Sequence, residues 1–361
     1  MRFAMLAPGL APHDAVSNDA LGMCAALRAA GHEVSLFAPH ARGIAEPVLD
    51  PHRIEGWLRS ADDCVIYHYC VGWDFALALL RRLRARRIVR YHNITPPDFF
   101  ADWSPGYVAA CQEGRAQLDA FAALGCELYL GDSPYNLEDF TTRGVPAQRC
   151  AVLAPFHEVE QLAGLAPDAR RIPDGAPLLL MVGRIAPNKN YLELIDALAA
   201  SVAMDLPNAH LLLVGKLDPN LARYGEALQE RIAMRGMQAH VSWLQDANGT
   251  ELRAAFERSR MLVMLSRHEG FCVPLVEAMA LGTPVVALAT AAMPSTLGDA
   301  GLLWPEDADA WLIGASIARL HADDALHAQL RARGQARYAA QYAPASLARR
   351  LQQILAEHAF T

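Results

Sequence analysis

The 361-residue sequence predicts an α/β protein built from two doubly wound domains. Two observations carry that reading. Short apolar runs capped by Gly, Pro or Asp alternate with longer amphipathic stretches, which is the pattern of βαβ units on parallel sheets. The alternation lapses once, over residues 158–177, and then restarts; a chain this long exceeds one ordinary core and suits two of roughly 150–180 residues. The expected division is a first domain over 1–160, a linker over 161–177 and a second domain over 178–343. A terminal helix, 344–361, would be free to pack back on the first domain.

In the first half the expected strands are Phe3–Ala7, Glu33–Ala38, Cys64–Tyr69, Arg87–Tyr91, Leu128–Leu130 and Ala151–Leu153. Helices are expected over Asp19–Ala30, with Ser17 or Asn18 as cap and Gly31 as stop, and over Phe75–Arg86 and Tyr107–Leu124. The second half gives strands Leu178–Val182, His210–Val214, Val241–Trp243, Met261–Leu265 and Val285–Ala287. Helices Tyr191–Ser201, Tyr224–Arg235, Glu251–Ser259 and Pro274–Leu281 lie between them. Beyond Leu312 the chain turns helical, and Pro344 precedes a last helix, Ala345–His358. In such sheets the ligand sits at the carboxyl ends of the strands.

Composition removes several function classes. With 53% hydrophobic and 20% charged residues the chain is globular, and its net charge of −7 argues against a dedicated nucleic-acid binder. Seven scattered cysteines without a CxxC pair read as reduced thiols, so a cytoplasmic setting is expected. No stretch approaches the roughly 18 apolar residues of a membrane span. Of 32 basic residues only Lys189 and Lys216 are lysines, which draws attention to both.

The densest chemistry lies at LSRHEGFCVPLVEAMALG, residues 265–282. A buried strand ends, a loop carries Glu269 and Gly270, and Pro274 opens a helix that stops at Gly282. The helix N-terminus presents free N–H groups and a positive dipole end where a phosphate could sit. Gly270 permits close backbone approach. Two carboxylates beside a phosphate suit neutral vicinal diols, each of which donates two hydrogen bonds. Glu269 and Glu277 would then hold the two sugars flanking a diphosphate. Upstream, Gly183, Arg184 and Lys189 on one strand-to-helix loop supply two cations that can straddle that diphosphate as it leaves.

On GRIAPNKN, LLLVGK, the E-x7-E stretch and GDAGLLWPED, the sequence resembles the retaining glycosyltransferases of family 4, which have the two-domain GT-B fold. The resemblance covers most of the chain and is densest in the second half. It implies that Arg184 and Lys189 bind the donor diphosphate, that Glu277 holds the ribose and that Glu269 contacts the transferred sugar. Backbone N–H groups at Phe271, Cys272 and Val273 would add hydrogen bonds, with Leu275 in the same turn. Gly215 and Lys216 would line the crevice, and Gln245 and Asp246 would meet the base. Cys272 stands where relatives often carry Gly.

In the first domain the resemblance puts His92 against the donor sugar. Relatives have a Gly-Gly pair after the first strand; here Gly9 is the nearest equivalent, with Ser17 or Asn18 as substitutes. His68, Tyr69, Asp132 and Ser133 are acceptor-side candidates. The arginine run at 81–90 is either a solvated face or a patch for anionic lipid, and the aromatic loop DFFADWSPGY, 98–107, would serve the same membrane contact or hold an acceptor.

The expected reaction is metal-independent retaining transfer of a hexose from a nucleotide diphosphate sugar to a glycan or lipid-linked acceptor. GDP-mannose is the first choice of donor and UDP-hexoses the second, with no cofactor, on the analogy of enzymes that build bacterial surface polysaccharide. Transfer would occur in the cytoplasm or at the inner membrane face. The alternatives are a sugar-nucleotide epimerase of the same fold, or an inactive sugar-nucleotide-binding subunit. The only Asp-x-Asp, Asp307 and Asp309, is read as a helix start, not a metal site.

Overall fold

In the computed structural model, which describes residues 1–360, the chain forms two compact units, each around its own all-parallel sheet. The first contains Met1–Pro97, Val108–His157 and the terminal segment from Ala343; the second contains Asp98–Tyr107 and Glu158–Tyr342.

The first sheet has seven strands: β1 (Arg2–Leu6), β2 (Glu33–Phe37), β3 (Val48–Leu49), β4 (Cys64–Tyr69), β5 (Arg86–Tyr91), β6 (Leu128–Gly131) and β7 (Cys150–Val152). Their order is β3-β2-β1-β4-β5-β6-β7. All six residues of β4 are buried, as a strand covered on both faces by helices requires. The helices of this half are α1 (Ala15–Ala29), α2 (Ile54–Trp57), α3 (Asp74–Arg82), α4 (Pro105–Ala116), α5 (Leu118–Ala123) and α6 (Pro134–Thr141).

The second sheet has β8 (Leu178–Val182), β9 (His210–Val214), β10 (Val241–Leu244), β11 (Met261–Met264), β12 (Val285–Leu288) and β13 (Gly301–Trp304), ordered β10-β9-β8-β11-β12-β13. Its helices are α7 (Val159–Gly164), α8 (Tyr191–Met204), α9 (Ala222–Met234), α10 (Gly249–Arg258), α11 (Val273–Leu281), α12 (Met293–Leu297), α13 (Ala310–Ala322) and α14 (Asp324–Arg337). The last helix, α15 (Pro344–Glu357), buries Leu347, Leu351, Ile354 and Leu355 in the core of the first unit, against α1. That i, i+4, i+7, i+8 spacing puts four apolar side chains on one face, each contributing roughly 1.5–3 kcal/mol on burial.

Several boundaries differ from expectation for local reasons. Helix α1 starts at Ala15, because Asp14 caps it by accepting from the Ser17 amide; neither Ser17 nor Asn18 is the cap. Helix α3 stops at Arg82, where Leu83 turns extended, so β5 can begin at Arg86. The helix expected over 107–124 is two, α4 and α5, separated at Gln117, whose side chain reaches back to Trp73 N and Asp74. Residues 158–177 are not a bare linker. They contain α7, which packs on α10 and α11 within the second unit. Strands β3 and β13 carried no sequence signal strong enough to be anticipated.

The arginine run divides between surface and interior. Arg86 lies over the Phe360 ring and bonds the carbonyls of His358 and Ala359, Arg87 pairs with Glu127, and Arg90 is fully buried. Arg82 pairs with Glu55 on the surface. Half of the run, Arg86, Arg87 and Arg90, is therefore used inside its own unit, so the run cannot act as one basic patch. Among the described residues no helix is long and apolar enough to cross a membrane.

Candidate functional site

In the second sheet the strand order turns between β8 and β11. The carboxyl ends of these two neighbours are the switch point of the sheet, the position where ligands bind in open α/β sheets. After β8 and β9 the loops stay joined: Gly183 N donates to Val214 O at 2.9 Å, Gly215 N to Leu244 O at 3.1 Å, and Ile185 N to Lys216 O at 2.9 Å. A Cβ on Gly215 would stand 1.9 Å from the Gly183 carbonyl oxygen, so this close approach requires glycine.

The next turn, Pro187–Lys189, is stitched to the loop after β11. Arg267 N donates to Asn188 O at 2.9 Å, and Asn188 Nδ2 donates to His268 O at 3.1 Å. Asn190 at φ 61° then redirects the chain into α8. These bonds bring Lys189 Nζ to 2.5 Å from Glu269 Oε1, with both side chains largely buried at 15% and 8% exposure. Glu269 keeps its second oxygen for another donor. The loop behind it is fixed by Ala292 N donating to Glu269 O and Thr296 Oγ1 donating to Phe271 O.

Cys272 precedes α11 in the left-handed region, at φ 75° and ψ 76°. Val273 is the first helical residue and Pro274 the second, one place later than expected. Among the described residues the N–H groups of Phe271, Cys272 and Val273 meet no acceptor, as is usual for the first amides of a helix. A non-glycine residue here stores strain of about 1–2 kcal/mol. Cys272→Gly should relieve it against a similar entropic cost and lie within about 1 kcal/mol of the parent, whereas Cys272→Val should lose about 1–3 kcal/mol. Urea unfolding of the three proteins checks the order; a valine variant as stable as the parent would contradict it.

The remaining expected residues differ in exposure and in the partners they meet. Gly270 lies in the loop, half-buried, and Glu277 is half-buried on α11, where burial pushes its carboxyl up to about 7. Leu275, by contrast, is fully buried in the core and offers only backbone. Lys216 is exposed beside Gly215. Asp246 is bound by Arg171 at 2.6 Å, and the same guanidinium reaches Glu251 at 3.2 Å; this hydrogen bond holds the Asp246 carboxyl below its usual range. Arg171 came from the expected linker and carried no signal. Gln245 is exposed next to Asp246. Arg184 is exposed, with Nη1 3.2 Å from the Tyr107 hydroxyl.

The first unit builds its own polar centre where its strand order turns, between β1 and β4. Arg90 Nε donates to Asp19 Oδ2 at 2.8 Å, Nη2 lies 2.8 Å from Asp132 Oδ1, and Nη1 donates to the Leu153 carbonyl at 2.8 Å. Asp19 also accepts from Phe156 N at 2.8 Å. Burial alone would push the Asp19 carboxyl up, but Arg90, with His92 and His68, outweighs it and holds it down. His92 has both ring nitrogens engaged: Nδ1 is 3.1 Å from Asp132 Oδ2, and Nε2 is 2.9 Å from His68 Nδ1. His68 is fully buried, which pushes it down to about 3. His92 is therefore a member of an interior network, with little imidazole left for a sugar. Ligand-type atoms of Asp19, His68 and His92 lie within 4.8 Å of one another, and the Arg90 guanidinium pairs with Asp19 at the same point.

Three first-unit expectations are corrected. Tyr69 is fully buried and donates to the Gly114 carbonyl within an aromatic cluster, so it is core. Ser133 is buried as the cap of α6, accepting from Asn136 N. Ser17 is buried, with Oγ accepting from Ala11 N and donating to Asp14, so it cannot replace a glycine contact. Gly9 sits in an open loop after β1. Asp309 caps α13. Asp19 and Arg90 were missed; an arginine in mid-strand, flanked by Ile88, Val89 and Tyr91, was the available signal.

Residues 166–337 match the family model described as glycosyl transferases group 1. Over 190 residues the chain is 32% identical to the D-inositol 3-phosphate glycosyltransferase of Jonesia denitrificans, covering 51% of this chain and 42% of the relative. Over 164 residues it is 32% identical to the GDP-mannose:cellobiosyl-diphosphopolyprenol alpha-mannosyltransferase of Xanthomonas campestris, covering 43% and 40%. These matches span less than half the length of either relative. Among solved structures, the chain is similar to Anabaena Alr3699/HepE in complex with UDP, with a TM-score of 0.76 at 17% identity over 99% of this chain and 100% of that one. That likeness shows the fold, which is GT-B.

Proposed function

We propose that the chain, a GT-B protein whose residues 166–337 match the glycosyl transferases group 1 model, transfers a hexose from a nucleotide diphosphate sugar. One observation carries the proposal: Lys189 and Glu269 meet at the turning point of the second sheet, beside the three open N–H groups that begin α11.

In this reading the diphosphate sits on those N–H groups, and Lys189 and Arg184 neutralise the charge that grows on it as the glycosidic bond breaks. Glu269 accepts from the hexose hydroxyls and Glu277 from the ribose diol. No protein nucleophile is needed. The acceptor hydroxyl attacks from the face that the nucleotide leaves, a diphosphate oxygen takes its proton, and the anomeric configuration is retained. The cations perform the task that a divalent ion has elsewhere, so transfer should persist in EDTA. Mannose is the favoured hexose and GDP-mannose the favoured donor; the name of the Xanthomonas relative supports both that donor and a lipid-linked acceptor.

A melting-temperature screen with GDP, UDP, ADP, dTDP and their sugars tests donor class, since a ligand at 100 times its dissociation constant stabilises by about 2.7 kcal/mol. One nucleotide series should shift the transition clearly. No shift with any of them would refute the assignment.

Glu277 adds a pH dependence. In the free protein its carboxyl holds a proton below about pH 7, and the protonated form is the poorer acceptor for a diol. Nucleotide affinity should therefore rise between pH 6 and 8, and Glu277→Gln should flatten that rise in calorimetric titrations. The stability effect has the opposite sign. Because the folded state keeps a proton that the unfolded chain releases near the ordinary carboxyl value of 4.5, this residue's contribution falls as pH rises from there to about 7.

A further inference from the structure

The aromatic segment 98–107 belongs to the second unit although it leaves the sequence of the first half. It is anchored on the second unit at three points. Phe99 lies 5.8 Å from the His268 ring, next to Glu269. Trp103 meets Tyr224 edge-on at 5.1 Å, and Tyr224 in turn accepts from the first amide of α8. Tyr107, stacked on Phe100 at 4.9 Å, ends between the loops that follow β8 and β9.

Tyr107 forms a directed chain there. Its hydroxyl donates to Asp218 Oδ2 at 2.7 Å, which leaves the oxygen lone pairs for Arg184 Nη1 at 3.2 Å. The Arg184 guanidinium also lies 5.7 Å from the centre of the Tyr107 ring. Asp218 is itself fixed, accepting from Asn220 N at 2.8 Å and Asn220 Nδ2 at 3.0 Å. An exposed arginine is otherwise a long, freely rotating side chain, and ordering it on binding opposes affinity. Here one ring face and one hydroxyl order it in advance.

We propose that Tyr107, held by Asp218, is a positioning residue that pre-orders Arg184 for the donor diphosphate, making segment 98–107 a working part of the donor site. The proposal rests on the reading of Arg184 as a diphosphate cation, and its test separates the two.

UDP and GDP affinities and steady-state kinetics would be measured for the parent, Arg184→Ala, Tyr107→Phe, Asp218→Asn and the Arg184→Ala/Tyr107→Phe double variant. Tyr107→Phe keeps the ring and removes the hydroxyl. It should weaken nucleotide binding and lower kcat/KM by about tenfold, Asp218→Asn should do likewise, and Tyr107→Phe should not add to the loss in Arg184→Ala. A purely structural tyrosine would lower the melting temperature and give additive losses, which overturns the proposal. Tighter nucleotide binding in Tyr107→Phe would overturn it too, by showing that the contact restrains Arg184. If Arg184→Ala itself leaves nucleotide binding and kcat/KM unchanged, the diphosphate reading fails first.

Discussion

Lys189→Ala should lower turnover by roughly a hundredfold to a thousandfold, the usual loss when one preorganised charge-stabilising donor is removed. The same change should also destabilise the fold. Glu269 would remain at 8% exposure without the ammonium 2.5 Å away, and a buried pair broken from one side costs about 3–5 kcal/mol. Lys189 keeps 15% exposure, so the cost should fall toward the lower end of that range.

The two effects separate in Lys189→Met/Glu269→Gln, which removes both charges at similar volume. Denaturant unfolding should show stability largely recovered, while single-turnover assays show transfer still lost. If Lys189→Ala retains transfer within a few-fold of the parent, the leaving-group role assigned to it is wrong. If the double variant recovers transfer as well as stability, the lysine serves only to neutralise Glu269.

The second large effect lies in the other unit. Arg90→Met should cost at least about 3–5 kcal/mol, because it strands two carboxylates, Asp19 and Asp132, and the Leu153 carbonyl in the interior at once. Total stability of a domain is typically only about 5–15 kcal/mol, so the variant would be marginal.

The deficit should also depend on pH, with a definite sign. Burial by itself raises the Asp19 carboxyl, and the neighbouring positive charge reverses that in the parent protein. Without Arg90 the folded-state value rises above the unfolded one. Asp19 of the variant then takes a proton as pH falls, and the handicap should be smaller at pH 5 than at pH 8. Urea titrations at the two pH values measure the difference. An Arg90→Met protein as stable as the parent at pH 8 would show that the network carries little of the fold's stability.

Much of the second unit is readable from sequence because its signals are local. The bounds of β8 and β9, and of β4 in the first unit, follow from apolar runs stopped by Gly or Cys; all of β4 and four of the five residues in each of β8 and β9 are buried. The loop residues Arg184, Lys189, Glu269 and Gly270 are likewise fixed by what precedes and follows them: a strand that ends and a helix that starts. Capping is less legible. Asp14 rather than Ser17 or Asn18 begins α1, because Ser17's hydroxyl is already committed to Ala11 and Asp14, a choice made by loop geometry.

Charge patterning misleads where partners are distant in sequence. Arg90 looks like one member of an exposed run, yet its partners Asp19 and Asp132 lie 71 residues before and 42 residues after it by sequence number. His92 looks like a free strand-end imidazole, and it is the position of His68 on the adjacent strand that occupies its second nitrogen. No window over the sequence contains either fact.

The sequence by itself therefore determined two doubly wound halves, the strand-end loops of the second and the residue types they present, since periodicity and turn chemistry are properties of neighbours along the chain. Only the tertiary structure decided that Lys189 reaches Glu269, that Arg171 closes on Asp246, and that segment 98–107 and helix α15 each join the half of the protein remote from them in sequence. Those choices depend on which surfaces can be buried together and which charges then need a partner, and the packing of sheets and helices settles both.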